Sequence, residues 1–255
     1  MHLNEDAFPP LAAEAGVSQA VKAQLRLREM VLAGELPGGA RIAELTLVDK
    51  LGVSRTPVRA ALMRLEQEGL LHSLPGGGYA VRTFSETDVA DAIELRGTME
   101  GLAARLAAER GVAPAVMAEA HACLDAIDAL LVPATLDDEG FSGYVALNAQ
   151  FHSLLSRMMG SDVIARELDR VKGLPFASPS AFVVVETGST QARDMLVVAQ
   201  DQHRQALDAI ERREGARAEA LMREHSRITR RNLLAAVQAP QGRGLPGVQL
   251  IRDRS

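Results

Sequence analysis

The stretch RIAELTLVDKLGVSRTPVRAALMRLEQEGLLHSLPGGGYAVR, residues 41–82, constrains this chain more than any other, because its punctuation allows one local arrangement: helix, short turn, helix, hairpin. Ile42, Leu45 and Val48/Leu51 recur at helical spacing, and Gly52 then supplies the positive φ that a tight inter-helix turn needs. Val53 buries the turn. Ser54 suits an N-cap, with a hydroxyl able to accept a first-turn N–H, and Pro57 falls where a missing N–H is harmless, so a second helix starts at Arg55. Its apolar stripe is Val58, Ala61/Leu62 and Leu65, which leaves Arg55, Thr56 and Arg59 together on the opposite side near the N-terminal end. Gly69 ends the helix. The runs 70–74 and 79–82 around Pro75-Gly76-Gly77-Gly78 predict a two-stranded wing.

A helix-turn-helix with arginines on its free face points to double-stranded DNA: recognition-helix side chains meet base edges in the major groove, and a guanidinium fits guanine or a phosphate. The expected contacts are Ser54, Arg55, Thr56 and Arg59, with Gly77 at the wing tip and Arg41 as a phosphate contact. The net charge of −5 argues against a generally basic nucleic-acid binder, yet residues 17–84 hold nine Lys/Arg against six Asp/Glu, +3 there and −8 elsewhere. Reading a palindromic operator takes two modules, so a homodimer is expected. The single cysteine, Cys123, rules out an intramolecular disulfide framework and fits a reducing cytoplasm. MHLNEDAFPP has no signal-peptide pattern, and no stretch reads as a membrane span.

The expected organisation is a loose arm over 1–16, a winged helix-turn-helix over 17–84, an all-α antiparallel bundle over 85–238 and a Pro/Gly-rich tail over 239–255 that finishes on Val248, Leu250 and Ile251. The fold class is therefore mainly α. Ser85 with Asp88 looks like a capping box, and helices are expected near 86–110, 113–131, 138–159, 161–172, 190–213 and 216–238, broken at Gly160, Gly173/Pro175 and Gly215. GLPFASPSAFVVV, with its prolines and β-formers, reads as a cap over one end of the bundle.

Three of the six histidines fall on apolar helix faces. His203 lies in the stripe of Leu196, Ala199/Gln200, Leu207 and Ile210, and His225 between Leu221 and Ile228. If Gly215 turns an antiparallel hairpin, the two stand about 18 and 15 Å from it and are level. Asn148 and His152 share a face four residues apart, with Tyr144 a turn earlier. Three imidazoles and one oxygen suit Zn, Ni, Mn or Fe; with an amide at 148 in place of a carboxylate, the histidines could instead serve as donors to an organic anion. Arg96 offers a carboxylate clamp or, equally, an i,i+4 partner for Glu100, and Asn232 lies two turns beyond His225 on the same face.

GELPGGARIAE, LGVSRTPVRAALMRLEQEGLL and GGGYAVR resemble the N-terminal domain of GntR-type regulators, in the branch with an all-helical, FadR-type effector domain. Over about residues 18–238 that resemblance implies a DNA-binding regulator, and LNAQFHSLL, DQHRQALDAI and ALMREHSRITRRN resemble the branch's metal-histidine segments at His152, His203 and His225. Some relatives carry an arginine where this chain has Leu45, and many an aspartate where it has Asn148. The RIAE opening, LEQEGL, the AIELRG helix and the IRD near the tail look most like vanillate-responsive repressors, which implies a repressor with an aromatic-acid effector bound near Arg96, Tyr144, Asn148 and Asn232; a hydroxy- or dicarboxylic acid is the alternative.

A metal-dependent hydrolase is the rival class. It calls for an inward general base, and the histidine-bearing faces offer none, since Asp201 and Glu224 fall off the stripe; the chain is read as not an enzyme. A purely structural ion is the third reading, distinguishable because its removal melts the bundle.

Overall fold

The computed structural model describes residues 18–179, 190–238 and 247–252. The arm at 1–16 lies outside them, as do most of the tail and the later part of the GLPFASPSAFVVV segment. Two compact units emerge: residues 1–85 with 244–255, and residues 86–243.

The first unit is built from α1 (Gln19–Leu32), β1 (Arg41–Ile42), α2 (Glu44–Leu51), α3 (Arg55–Gln67), β2 (Leu71–Ser73), β3 (Tyr79–Val81) and β4 (Phe84–Ser85). Helix α1 starts where Ser18 accepts the Val21 N–H, and it buries Ala23, Leu27, Met30 and Val31 against α3. Helix α3 turns inward the stripe expected of it, Val58, Ala61, Leu62 and Leu65. Gly52 closes α2 at φ 64°, a backbone state that a Cβ would penalise.

Three expectations need correction here. The buried face of α2 is Leu47 and Leu51, while Leu45 is 58% exposed, because the helix begins at Glu44 and Ile42 belongs to a strand. The wing has three strands in the order β1-β3-β2, since Arg41 and Ile42 pair with Ala80 and Tyr79 across from β2. Ser54 is the N-cap of α3 in extended backbone, but its hydroxyl makes no capping hydrogen bond.

The end of the chain returns to this unit. A single 3-10 turn, Val248–Leu250, leads into β5 (Ile251–Arg252), which runs parallel to β4 with Phe84 opposite Ile251. Val248 and Leu250 are buried, and Gln249 Nε2 and the Gly247 N–H both donate to the Leu32 carbonyl at the end of α1, at 2.7 and 2.8 Å. The short apolar finish of the sequence is thus part of the winged module's core.

The second unit is helical throughout: α4 (Glu86–Arg110), α5 (Pro114–Leu130), α6 (Asp138–Met158), α7 (Asp162–Lys172), α8 (Thr190–Glu211) and α9 (Gly215–Gln238). Helix α4 is central, packing on α6, α7, α8 and α9 and burying small residues, Ala103, Ala104, Ala107 and Ala108. Its closest neighbour is α9. A Cβ on Gly97 would stand 2.1 Å from Ser226 Oγ and one on Gly101 2.8 Å from Arg223 Cγ, so two glycines one turn apart let the axes approach and bring Arg96 and Glu100 beside α9. Between α8 and α9 the left-handed turn residue is Arg213 at φ 66°; Gly215, expected to be the turn, is the first residue of α9. Among the described residues no helix is long and apolar enough to cross a membrane.

Candidate functional site

The helical unit buries a polar cluster that its own packing creates. His152 on α6, His203 on α8 and His225 on α9 are all buried, and each has a ring nitrogen within 4.8 Å of the others. The helical-hairpin argument is met by the geometry: His203 Nε2 and His225 Nε2 lie 3.1 Å apart. His152 and Asn148 share the inward face of α6, with Tyr144 a turn earlier, and all three are buried.

The other side of the cluster is supplied by α4. Glu100, wholly buried, accepts at 2.7 Å from His152 Nδ1 and at 3.0 Å from Arg96 Nη1, and Arg96 Nη2 donates to Thr229 Oγ1 on α9 at 3.0 Å. Burial by itself would raise the Glu100 carboxyl, but the charges of His152 and Arg96, the His152 hydrogen bond and Lys172 outweigh it and hold the group well below the usual carboxylate range. Lys172 closes this edge by donating to the His152 carbonyl and to Ser156 Oγ. Burial, reinforced by the neighbouring imidazoles, pulls His203 and His225 well below their ordinary value, so both rings are neutral at pH 7 and retain a lone pair. Burial pushes the Tyr144 phenol up, keeping it a neutral hydroxyl.

Two sequence readings change accordingly. Arg96 is not a free carboxylate clamp: it is fully buried and already holds the carboxylate of Glu100. The histidine-bearing faces themselves carry no inward acid, Asp201 and Glu224 being exposed, but α4 brings one to the cluster, Glu100, which the hydrolase argument had missed because an Arg/Glu pair at i,i+4 looks like an ordinary surface ion pair. Its bonds to His152 and Arg96 make it an anchor for an imidazole and leave it poorly placed to take up a proton as a general base.

The donor set fits a divalent ion. Two nitrogens bound to one zinc at about 2.0–2.1 Å stand roughly 3.0–3.4 Å apart, which brackets the separation of His203 Nε2 and His225 Nε2. His152 Nε2 is buried with no hydrogen-bonding partner among the described residues, and its Nδ1 is tied to a carboxylate, the usual arrangement for a metal-binding imidazole. His152, His203 and His225, with the side-chain oxygen of Asn148, could hold Zn, Ni, Mn or Fe. A cavity adjoins the cluster, lined by Tyr144, Asn148, Leu196, His225, Thr229 and Asn232 among others; its free space of about 20 Å³ is room for a water-sized sphere.

In the winged module Ser54, Arg55, Thr56 and Arg59 are exposed together at the start of α3, and Glu44 lies 3.7 Å from Arg59. Arg41 Nη2 donates to the Gly77 carbonyl at 3.1 Å, so these two form one spot at the wing tip.

With this geometry in view, comparison with known proteins is specific. Residues 11–81 match the bacterial regulatory proteins of the gntR family, and residues 91–227 match the FCD domain. An uncharacterised HTH-type transcriptional regulator from an unstable DNA locus of Streptomyces ambofaciens is 34% identical over 214 residues, 80% of each chain. The HTH-type transcriptional repressor GlaR of Escherichia coli is 27% identical over 78% of this chain and 88% of its own. Among solved structures, E. coli McbR/YncC superposes with a TM-score of 0.58 at 20% identity, over 86% of this chain and 97% of that one, a likeness of fold.

Proposed function

The chain belongs to the gntR family of bacterial regulatory proteins with an FCD domain, a family of DNA-binding transcriptional regulators, and we propose that a small carboxylic acid bound beside a divalent ion in the helical unit controls its hold on operator DNA. The observation that carries this reading is the buried convergence of His152, His203 and His225 with an unpartnered Nε2, next to a cavity. Such a set of lone pairs is costly to bury and suits a cation. When bound, the ion would supply positive charge beside the cavity and could take a carboxylate as a further ligand. The protein's own part is to orient the ligands: Glu100 fixes His152, and Arg96, itself held by Thr229, fixes Glu100. Tyr144 and Asn232 line the cavity and offer hydrogen bonds to the acid, with Asn148 at its inner edge.

Operator recognition rests on Arg55, Thr56 and Arg59 at base edges, with Ser54, Arg41 and Gly77 against phosphates, in a homodimer that reads two half-sites. The cavity has room for a water-sized sphere, so the lining must open for either an aromatic acid such as vanillate or a hydroxy- or dicarboxylic acid, and both classes belong in the test. The chain runs from Ser85 directly into α4, which carries Arg96 and Glu100, so the acid acts on the helix that follows the module. The function is that of a repressor released by its acid.

The test measures binding to a duplex selected by the wild-type protein from a random pool, with vanillate and a panel of small hydroxy- and dicarboxylic acids, before and after a chelator. One acid is expected to weaken operator binding 5- to 150-fold, equivalent to about 1–3 kcal/mol of coupling. His203→Ala should bind operator normally and ignore the acid. A His203→Ala protein that folds and still responds refutes the sensing site. A chelator that melts the bundle in place of silencing it assigns the ion a structural role.

A further inference from the structure

Gln200, on α8 one turn before His203, is 3% exposed and makes three hydrogen bonds that leave its amide one orientation. Its NH2 group donates to the Leu124 carbonyl at 3.0 Å and to Asp128 Oδ1 at 2.8 Å, both on α5. Neither of those oxygens has a hydrogen to give, so the amide nitrogen must point at them and Oε1 must point the other way. Arg204, paired with Asp125 and Asp128, holds the Asp128 carboxylate in place from the solvent side. Oε1 then lies 3.2 Å from His203 Nδ1. An amide oxygen only accepts, so Nδ1 carries the hydrogen; the neutral ring has one hydrogen, which leaves Nε2 bare, and Nε2 is the atom that faces His225. Turning the amide over would set its oxygen against a carbonyl and a carboxylate while offering NH2 to Nδ1. His203 would then carry its hydrogen on Nε2, closed to a cation.

We propose that Gln200 is a positioning residue of the histidine cluster: with Asp128 and the Leu124 carbonyl setting the direction of its amide, it fixes His203 in the tautomer that presents Nε2 to an ion. The proposal rests on the metal reading of the cluster. Glu100 on α4, able only to accept, does the same for His152. Two of the three imidazoles are therefore set as ligands by a neighbouring acceptor, His203 by Gln200 on its own helix and His152 by Glu100 on α4, while His225 Nδ1 has no such partner among the described residues.

The experiment uses the full chain and zinc alone as the probe, reading affinity by competition with a chromogenic chelator and the His203 tautomer in the metal-free protein from imidazole ¹⁵N shifts. Gln200→Leu removes the acceptor and is expected to weaken zinc binding about 10- to 100-fold and to abolish the fixed Nδ1–H signature of His203. Gln200→Glu combined with Asp128→Asn restores an acceptor for His203 and a donor on α5, leaving only the Leu124 carbonyl without its donor, and should recover part of the zinc affinity lost in Gln200→Leu and the Nδ1–H signature of His203; this rescue separates positioning from mere packing. Equal zinc affinity and an unchanged tautomer in Gln200→Leu overturn the proposal. Wild-type protein that takes up no zinc overturns the metal reading instead; the tautomer then decides on Gln200, with Nδ1–H in wild type and its loss in Gln200→Leu supporting the assignment and Nε2–H in wild type refuting it.

Discussion

The two units keep their arginines in opposite states. Arg59 in the winged module has a side chain 70% exposed and a single loose acidic neighbour, whereas Arg96 in the helical unit is wholly buried and bonded to both Glu100 and Thr229. The first is open to a partner outside the chain; the second is held inside it by Glu100 and Thr229. An exposed arginine costs little to keep and is available to phosphate or guanine, while a buried one depends on partners within the fold and so serves to hold other groups still.

The sharpest way to break this contrast is to remove one member of the buried pair. Arg96→Ala leaves Glu100 buried with His152 and Lys172 to balance it and none of the guanidinium's bonds, and should lower stability to urea, followed by circular dichroism, by about 3–5 kcal/mol. An exposed pair such as Arg227 with Glu224 should give less than about 1 kcal/mol by the same measurement. Equal losses at the two places would mean that Arg96 and Glu100 behave as a surface pair and do not anchor His152.

That contrast also explains what the sequence reveals and what it hides. The exposed arginine face of α3 was legible because its signals lie within a few residues: Gly52, Ser54 and Pro57 locate the turn, and the phase of Val58, Ala61 and Leu65 sets Arg55 and Arg59 outside. The levelling of His203 with His225 was legible for a similar reason, since one short turn separates their helices. The Glu100–His152 bond spans 52 residues and the Arg96–Thr229 bond 133, and nothing local announces either. Gly97 and Gly101 were a usable signal: two small residues one turn apart on a helix mark close approach by another helix, which places Arg96 and Glu100 at a buried interface. Leu45 was misjudged because helical spacing was counted through Ile42, whose backbone pairs in the sheet.

A second test asks whether the winged module is complete before the chain ends. Leu250, wholly buried in it, is separated from the rest of the module by the entire helical unit in sequence. Leu250→Ala should cost about 2–5 kcal/mol, seen as earlier melting of the module, while Leu45→Ala on the same unit's surface should stay within about 0.5 kcal/mol. Similar melting for both proteins would show that β5 and its preceding turn add nothing to the module.

The smallest expected effects fall on the exposed side and bear on function without bearing on stability. Arg55→Ala and Arg59→Ala should each weaken binding to the selected duplex by about 1–3 kcal/mol if they meet base edges, with melting unchanged because neither side chain supports the core. A loss confined to some duplex sequences marks base contact, and a uniform loss with a shallower salt slope marks phosphate contact. Glu44 refines the comparison. It stands 3.7 Å from Arg59 on the same exposed face, and operator DNA must draw the guanidinium away from it. Glu44→Gln removes that competitor along with one negative charge facing phosphate, so operator affinity should rise, by no more than about 1 kcal/mol at low salt, and the gain should shrink as salt screens the pair. A fall in affinity would show instead that Glu44 holds Arg59 in its reading position, making the exposed arginine as dependent on a partner within the chain as the buried one.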